Sequence, residues 1–454
     1  VNALDQLDDL VSLERGEIDR RIFSDEEIYE AELEHIFGRA WLFLCHETQI
    51  PERGDFFESV MGRDNVLVVR QKDGSIKGLI NSCTHRGNAV CRAEEGNARS
   101  FLCTYHGWSF SIDGRLLGVP GHNDFYNGEL DKSEHGLAEV AQLDSYKGFV
   151  FATHDAGAPP LEEFLGSTGR LGLELIAARG NMAVVPGVQK FVIDCNWKFA
   201  QDNLLDWYHP QVTHASAAKS GLLGPADAIP PDAVIDQSDV VMQDGTRLEI
   251  PVSTLTGSRF DQVVLLGEYG HAVGGAAASS TGNPEFDPSW RNTPEARTAL
   301  GPIGVNVAGH PSIFPTCWVS HLTGQISLRI PRGRATTEIW WFTFVDDDLP
   351  AEQRRFMVQL ASRVFGPAGL LEQDDGENWA QSTAQTEGLA SRRIPQLLTM
   401  GLGRGSTIAE HGLHRIETLT NEHAQLWTYH SWQQYLKGLD WEELRSATTP
   451  GERI

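Results

Sequence analysis

NSCTHRGN at residues 81–88 and FLCTYHGWSF at residues 101–110 are the two stretches that decide how this chain folds. Each holds one cysteine and one histidine: Cys83-x-His85, seventeen intervening residues, then Cys103-x-x-His106. Gly87 and Gly107 follow the histidines closely, where a tight loop needs them. Each stretch is turn-rich and adjoins a β-rich run, so two hairpin loops can bring four metal-binding side chains to one centre.

Two thiolates and two imidazoles suit a [2Fe–2S] cluster of the Rieske kind, with the sulfurs on one iron and the ring nitrogens on the other. Structural zinc accepts the same donors. Zinc fingers, however, take both cysteines from one loop and both histidines from a helix, whereas each loop here supplies one of each. Rieske subunits of respiratory complexes add a cysteine to each loop as a disulfide clamp. Asn88 and Tyr105 stand at those positions, which points to the ferredoxin-like and oxygenase type. Cys91 is off-pattern and reads as a buried thiol.

Outward from these loops, short strand-like runs (NVLVVRQ, GSIKGLIN, GFVFATH) separated by Gly, Asp and Asn turns predict a β domain over 41–155. Before it, FSDEEIYEAELEHIFGRAWLFL carries an apolar stripe of Ile28, Leu33, Ile36 and Phe37 at helical spacing, with Ser24 placed to cap it. This makes 1–40 a helical segment belonging with the C-terminal domain. DAGAPPLEEFLG (155–166) reads as a linker, and 156–454 mixes strands with amphipathic helices. Two aperiodic stretches, 219–234 and 269–286, are expected near an active-site mouth.

A second constellation lies in DNLLDWYHPQVTH (202–214). Asn203, Asp206 and His209 are spaced i, i+3, i+6, along one helical face. Pro210 is expected to make the helix bend or stop there, and the bend to bring His214 back beside His209. Two histidines and one carboxylate make the facial triad of non-haem Fe(II) oxygenases, which leaves positions open for oxygen. The carboxylate is Asp206, or an acid of LLEQDDGENW (370–379).

With both constellations in view, the chain resembles the catalytic alpha subunits of Rieske non-haem iron aromatic-ring-hydroxylating dioxygenases over nearly its whole length. The resemblance rests on CTHRG…CTYHGW, NWKFAQDNLLDWYHPQVTHAS, APPLEEFLG and FGPAGLLEQDDGENW. It implies an α+β fold, with a β-rich Rieske domain and a helical-grip catalytic domain whose antiparallel sheet is packed by helices. It further implies that Asp375 completes the iron site with His209 and His214, and that Asp206 bridges to a Rieske histidine of a neighbouring subunit. Asn203 is the amide expected near the iron, although NWKFAQDNLLD is one residue shorter here than in naphthalene- and biphenyl-type members. Leu204, Leu205, Phe365 and Leu371 are expected to line the substrate pocket.

The implied activity is cis-dihydroxylation of an aromatic ring with O₂. Electrons come from NADH through a separate reductase or ferredoxin, since the chain has no GxGxxG after a strand. A small beta subunit in an α3β3 assembly is implied as partner. The alternative is a Rieske monooxygenase acting on an aromatic acid, for which Arg393 is a distant candidate cation. A formal charge of −25 disfavours nucleic acid and anionic membranes as partners. Six cysteines in 454 residues are too few for a disulfide scaffold, and no apolar run is long enough to span a membrane. A bacterial cytoplasmic protein is expected.

Overall fold

In NVLVVRQ the apolar run Val66–Val69 is rich in β-branched residues and bounded by polar ones, and all four residues are buried, as in a strand covered on both faces. The computed structural model describes residues 3–214, 216–217, 220, 234–235, 250–251, 262–278, 289–416 and 420–452, and forms two compact units. One is Glu32–Glu163. The other joins Val1–Ala31 to Phe164–Ile454.

The strands of the Glu32–Glu163 unit all pair antiparallel. Ile76–Ile80, Asp64–Arg70, Asp55–Met61 and Glu95–Asn97 form one sheet in that order. Leu116–Gly118, Ser109–Ser111 and Ser100–Leu102 form a second, and Gln142–Tyr146, Phe149–Thr153 and Leu42–His46 a third. Leu67, Val69, Leu79, Phe101, Trp108 and Phe110 are buried together beneath the two cysteine–histidine loops.

This unit begins inside the N-terminal helical stretch, earlier than position 41. The α-helix stops at Glu32 and gives way to a wider turn over Leu33–Phe37. Phe37 and Leu33 then lie over Gly62 of the β unit. The helix is also capped differently from the sequence reading: Asp25 Oδ1, not Ser24, accepts from the N–H groups of Glu27 and Ile28.

The other unit is built on a ten-stranded antiparallel sheet. Its strands are β1 (Met182–Val184), β2 (Gln189–Ile193), β3 (Val264–Leu266), β4 (Ala272–Gly274), β5 (His310–Ile313), β6 (Cys317–Ser320), β7 (Gln325–Gly333), β8 (Thr336–Asp346), β9 (Thr407–Glu410) and β10 (Leu413–Ile416). The order is β1-β8-β7-β6-β5-β4-β3-β10-β9, with β2 also paired to β8. Helices α1 (Leu161–Ala177), α2 (Trp197–Asp202), α3 (Pro210–Thr213), α4 (Ala351–Val364), α5 (Leu370–Thr386) and α6 (His423–Leu436) accompany it. One core unites Leu204, Leu205, Trp318, Trp341, Phe365, Trp379 and Trp427 from sheet and helices, the helical-grip arrangement expected.

The N-terminal residues join this unit by pairing. Glu17–Ile18 lies antiparallel to Gln396–Leu397, and Leu398 N–H donates to the Gly16 carbonyl. Gly16 has φ +59°, and a Cβ there would sit 2.4 Å from the Leu398 oxygen, so only glycine fits. Among the described residues no helix is long and apolar enough to cross a membrane. Residues 219–233 fall almost wholly outside the described residues, as do 279–286.

Candidate cluster site and active site

The two loops of the β unit are built alike. In the first, Gly87 N–H donates to the Cys83 carbonyl and Cys83 N–H to the Asn88 carbonyl. In the second, Gly107 N–H donates to Cys103 and Cys103 N–H to the Trp108 carbonyl. Gly87 and Gly107 have φ of +73° and +74°, a left-handed turn that glycine enters at little cost. The cysteines are buried, while His85 is half-buried and His106 exposed. The two imidazoles face each other at 4.5 Å between ring centres, and Trp108 stacks on His85 at 4.9 Å.

His85 Nδ1 is buried without a hydrogen-bond partner, as a ring nitrogen reserved for a metal would be. These four side chains nevertheless do not converge on a single ion. Among the described residues, only His209, His214 and Asp375 bring three ligand atoms within 4.8 Å of one another. A tetrahedral zinc site would require such convergence, since its bonds are only about 2.0–2.3 Å long. A two-iron cluster, with donors at opposite ends, fits the wider spread.

The second site starts from α2. Asn196 caps it, accepting from the Lys198 N–H and donating to the carbonyls of Phe23 and Arg334. The helix ends at Asp202 and tightens into a 3₁₀ turn over Asn203–Leu205. Pro210 therefore does not bend a continuing helix, contrary to the sequence reading. The helix has already ended, and Pro210 opens α3 at a position where its missing N–H costs nothing. His209 precedes this short helix and His214 ends it, with the His214 N–H donating to the Pro210 carbonyl. One helical turn, rather than a kink, sets the two rings 5.2 Å apart.

Asp375 comes from α5. Its Oδ1 lies 3.4 Å from Nε2 of both His209 and His214, and it has no hydrogen-bond partner. Burial pushes the Asp375 carboxyl up to about 7, against the pull of the His209 charge and of the nearby Asn203 side chain. Each histidine turns its other nitrogen to a second acid: His209 Nδ1 is 3.3 Å from Asp206 Oδ2, and His214 Nδ1 is 3.5 Å from Asp374 Oδ2. Such outer carboxylates fix ring orientation in metal sites. Asp206 sits below the usual carboxylate range, because His209 outweighs the opposing effect of burial. Burial, helped by the His209 charge, lowers His214 to about 4 and leaves it the neutral imidazole a metal needs. Three carboxylates around two histidines suit a divalent cation.

A cavity of about 180 Å³ opens on this site. Asn203, Leu204, Phe365 and Leu371 line it, as expected, together with Trp207, His310, Trp318, Leu322 and Val364. Leu205 does not. Successive residues of a 3₁₀ turn point about 120° apart, and Leu205 packs into the core beside its cavity-lining neighbour. No lysine or arginine lines the cavity among the described residues, and Arg393 is exposed in the turn Ser391–Arg393.

Beneath the site, Arg329 Nη1 donates to Glu372 Oε1 at 2.7 Å, both groups fully buried. The guanidinium lies against Trp318, Trp341 and Trp379 at 4.8–5.3 Å. The sequence reading missed this pair. The spacing of Glu372, Asp375 and Trp379 along one helical face was the available signal.

Residues 40–143 match the family model of the Rieske [2Fe-2S] domain, and residues 181–426 that of the ring hydroxylating alpha subunit catalytic domain. The chain belongs to the ring-hydroxylating alpha subunits. It is 37% identical to the biphenyl 2,3-dioxygenase subunit alpha of Rhodococcus jostii (strain RHA1), over 97% of this chain and 93% of that one. It is 34% identical to the benzene 1,2-dioxygenase subunit alpha of Pseudomonas putida, over 97% and 96%. A solved structure of naphthalene 1,2-dioxygenase with indole in its active site superposes with a TM-score of 0.82 at 28% identity, covering 97% of this chain and 96% of that one. Alpha subunits of this family carry a Rieske cluster and a mononuclear iron, and draw electrons from NADH through a reductase. The donors described above fit both groups.

Proposed function

We propose that this alpha subunit cis-dihydroxylates the ring of an uncharged aromatic compound in a catabolic pathway. The observation that carries the reading is the His209–His214–Asp375 cluster opening on an apolar cavity without a cation. When bound, the cluster supplies electrons and the mononuclear iron activates dioxygen.

The chain's own residues would do the rest. His209, His214 and Asp375 would hold the ion, and Cys83, His85, Cys103 and His106 the cluster. Asp206 and Asp374 lie 3.3 and 3.5 Å from the Nδ1 atoms of the two histidines, where their charges favour Nδ1–H and leave each Nε2 for the ion. Asn203 lies beside the Asp375 carboxylate and favours its charged form. Leu204, Phe365 and Leu371 offer flat apolar contact to a ring and keep water away from it. Asp206 is in addition the side chain through which a neighbouring copy's Rieske histidine would be reached. That role calls for a ring of subunits, an α3β3 assembly with a small beta subunit. The bacterial cytoplasm suits a chain whose six cysteines are all free.

The test supplies the iron-loaded assembly with reductase, ferredoxin, NADH, biphenyl or naphthalene, and ¹⁸O₂. The expected product is a cis-diol with both oxygens from one O₂ molecule. A phenol carrying a single labelled oxygen would overturn the reading in favour of a monooxygenase.

A further inference from the structure

His310 on β5 and Trp318 on β6 belong to neighbouring antiparallel strands, with Ser312 opposite Trp318 in the register. His310 lies two residues from Ser312, so it shares a sheet face with Trp318 as its diagonal neighbour. The indole Nε1 of Trp318 donates to His310 Nδ1 at 3.0 Å. An indole N–H can only donate, so Nδ1 must be the bare, accepting nitrogen and Nε2 must carry the proton. A doubly protonated ring would have no nitrogen left to accept this bond, so the imidazole is neutral in this arrangement.

Trp318 is itself held rigidly, between the Arg329 guanidinium at 4.8 Å, Trp341 at 4.9 Å and Phe365 at 4.9 Å. The tautomer of His310 is therefore built into the sheet. Its Nε2–H finds no acceptor among the described residues, and the ring lines the same cavity as Asp375 and His209. Beside the apolar wall of Leu204, Leu322, Val364, Phe365 and Leu371, the cavity thus presents a directed, neutral donor whose tautomer is fixed.

We infer that His310 determines specificity, and that the cavity favours aromatic rings bearing a neutral hydrogen-bond acceptor, such as a carbonyl or ether oxygen. The inference rests on the reading that this cavity receives an aromatic ring. A bare hydrocarbon leaves the Nε2–H unpaired, which a buried donor tolerates poorly. An aromatic carboxylate would meet no lysine or arginine there and would face Asp206 and Asp375 instead. A neutral acceptor satisfies the donor and avoids both costs.

The test measures dissociation constants by calorimetry on the iron-loaded assembly for acetophenone, isopropylbenzene and benzoate, which are close in shape. From wild type to H310L, the ratio of the isopropylbenzene to the acetophenone constant should fall about tenfold, the worth of one neutral hydrogen bond. H310Q, which keeps an N–H at similar reach, should retain most of the wild-type ratio. W318F, which releases the tautomer, should lower the ratio by less than H310L does. Benzoate should bind weakest throughout. An unchanged ratio in H310L, equal weakening of both neutral ligands, benzoate as the tightest ligand, or a wild type that binds neither neutral ring would each overturn the inference. Product identity does not enter this measurement. A phenol product would therefore defeat the dihydroxylation reading and leave this result standing.

Discussion

Cys83, His85, Cys103 and His106 sit in two matching loops of one β unit, with sulfurs inside and a histidine at the surface. His209, His214 and Asp375 are gathered instead from a short helix and a distant long one, and each histidine is backed by its own carboxylate. The first plan suits exchange of electrons with another molecule, because a surface imidazole shortens the path outwards. The second suits chemistry that water would spoil, since the proposed ligands are mostly buried and face a largely apolar cavity. Repetition of a loop is enough for the cluster, whereas the iron site depends on the packing of a whole domain.

Separate substitutions should break this pairing cleanly. D375A should reduce turnover to background and remove the mononuclear iron while the visible spectrum of the cluster persists. C103A should do the converse, and metal analysis with absorbance distinguishes the two. A next-largest effect is expected below the iron site. E372A leaves the Arg329 charge buried among three tryptophans, which should cost about 3–5 kcal/mol in denaturant unfolding. The β unit, built without this pair, should keep its cluster.

Smaller again is D374A, which frees His214 Nδ1 but keeps every proposed ligand. Iron affinity should fall about 10–100-fold, read as faster loss to a chelator, with the cluster unchanged. The smallest effect is expected for R393A. Its side chain is exposed and away from the cavity, so turnover of a neutral ring should remain within about twofold of wild type, while a substrate-anchoring arginine would show a far larger loss.

The difference between the two sites also explains what could be read in advance. The proposed cluster donors lie within one local stretch, and their spacing alone carries that reading. The approach of His209 to His214 was legible as well, but its cause was not. The sequence reading gave Pro210 the role of a kink, because helical periodicity through Asp206 does not reveal that the helix ends at Asp202. Leu204 and Leu205 look interchangeable in sequence, and only the 3₁₀ turn separates a cavity wall from a core residue. Asp374 and the Arg329–Glu372 pair depend on contacts across more than forty residues, which no local pattern encodes. Strands in the second unit were legible as apolar runs between turn residues, whereas their order in the sheet depends on pairings that such runs do not specify.

The strand at Glu17–Ile18 pairs with Gln396–Leu397, on the far side of the entire β unit in chain order. On the ribosome, therefore, the first residues of the catalytic unit emerge long before the segment that will hold them. The residues between 32 and 163 are finished early and can fold while the rest is still being made, since domains generally fold as units in order of synthesis. The cell thus has a cluster-binding module ready for loading before the oxygen-handling pocket exists, so dioxygen chemistry must wait for the last part of the chain to be translated.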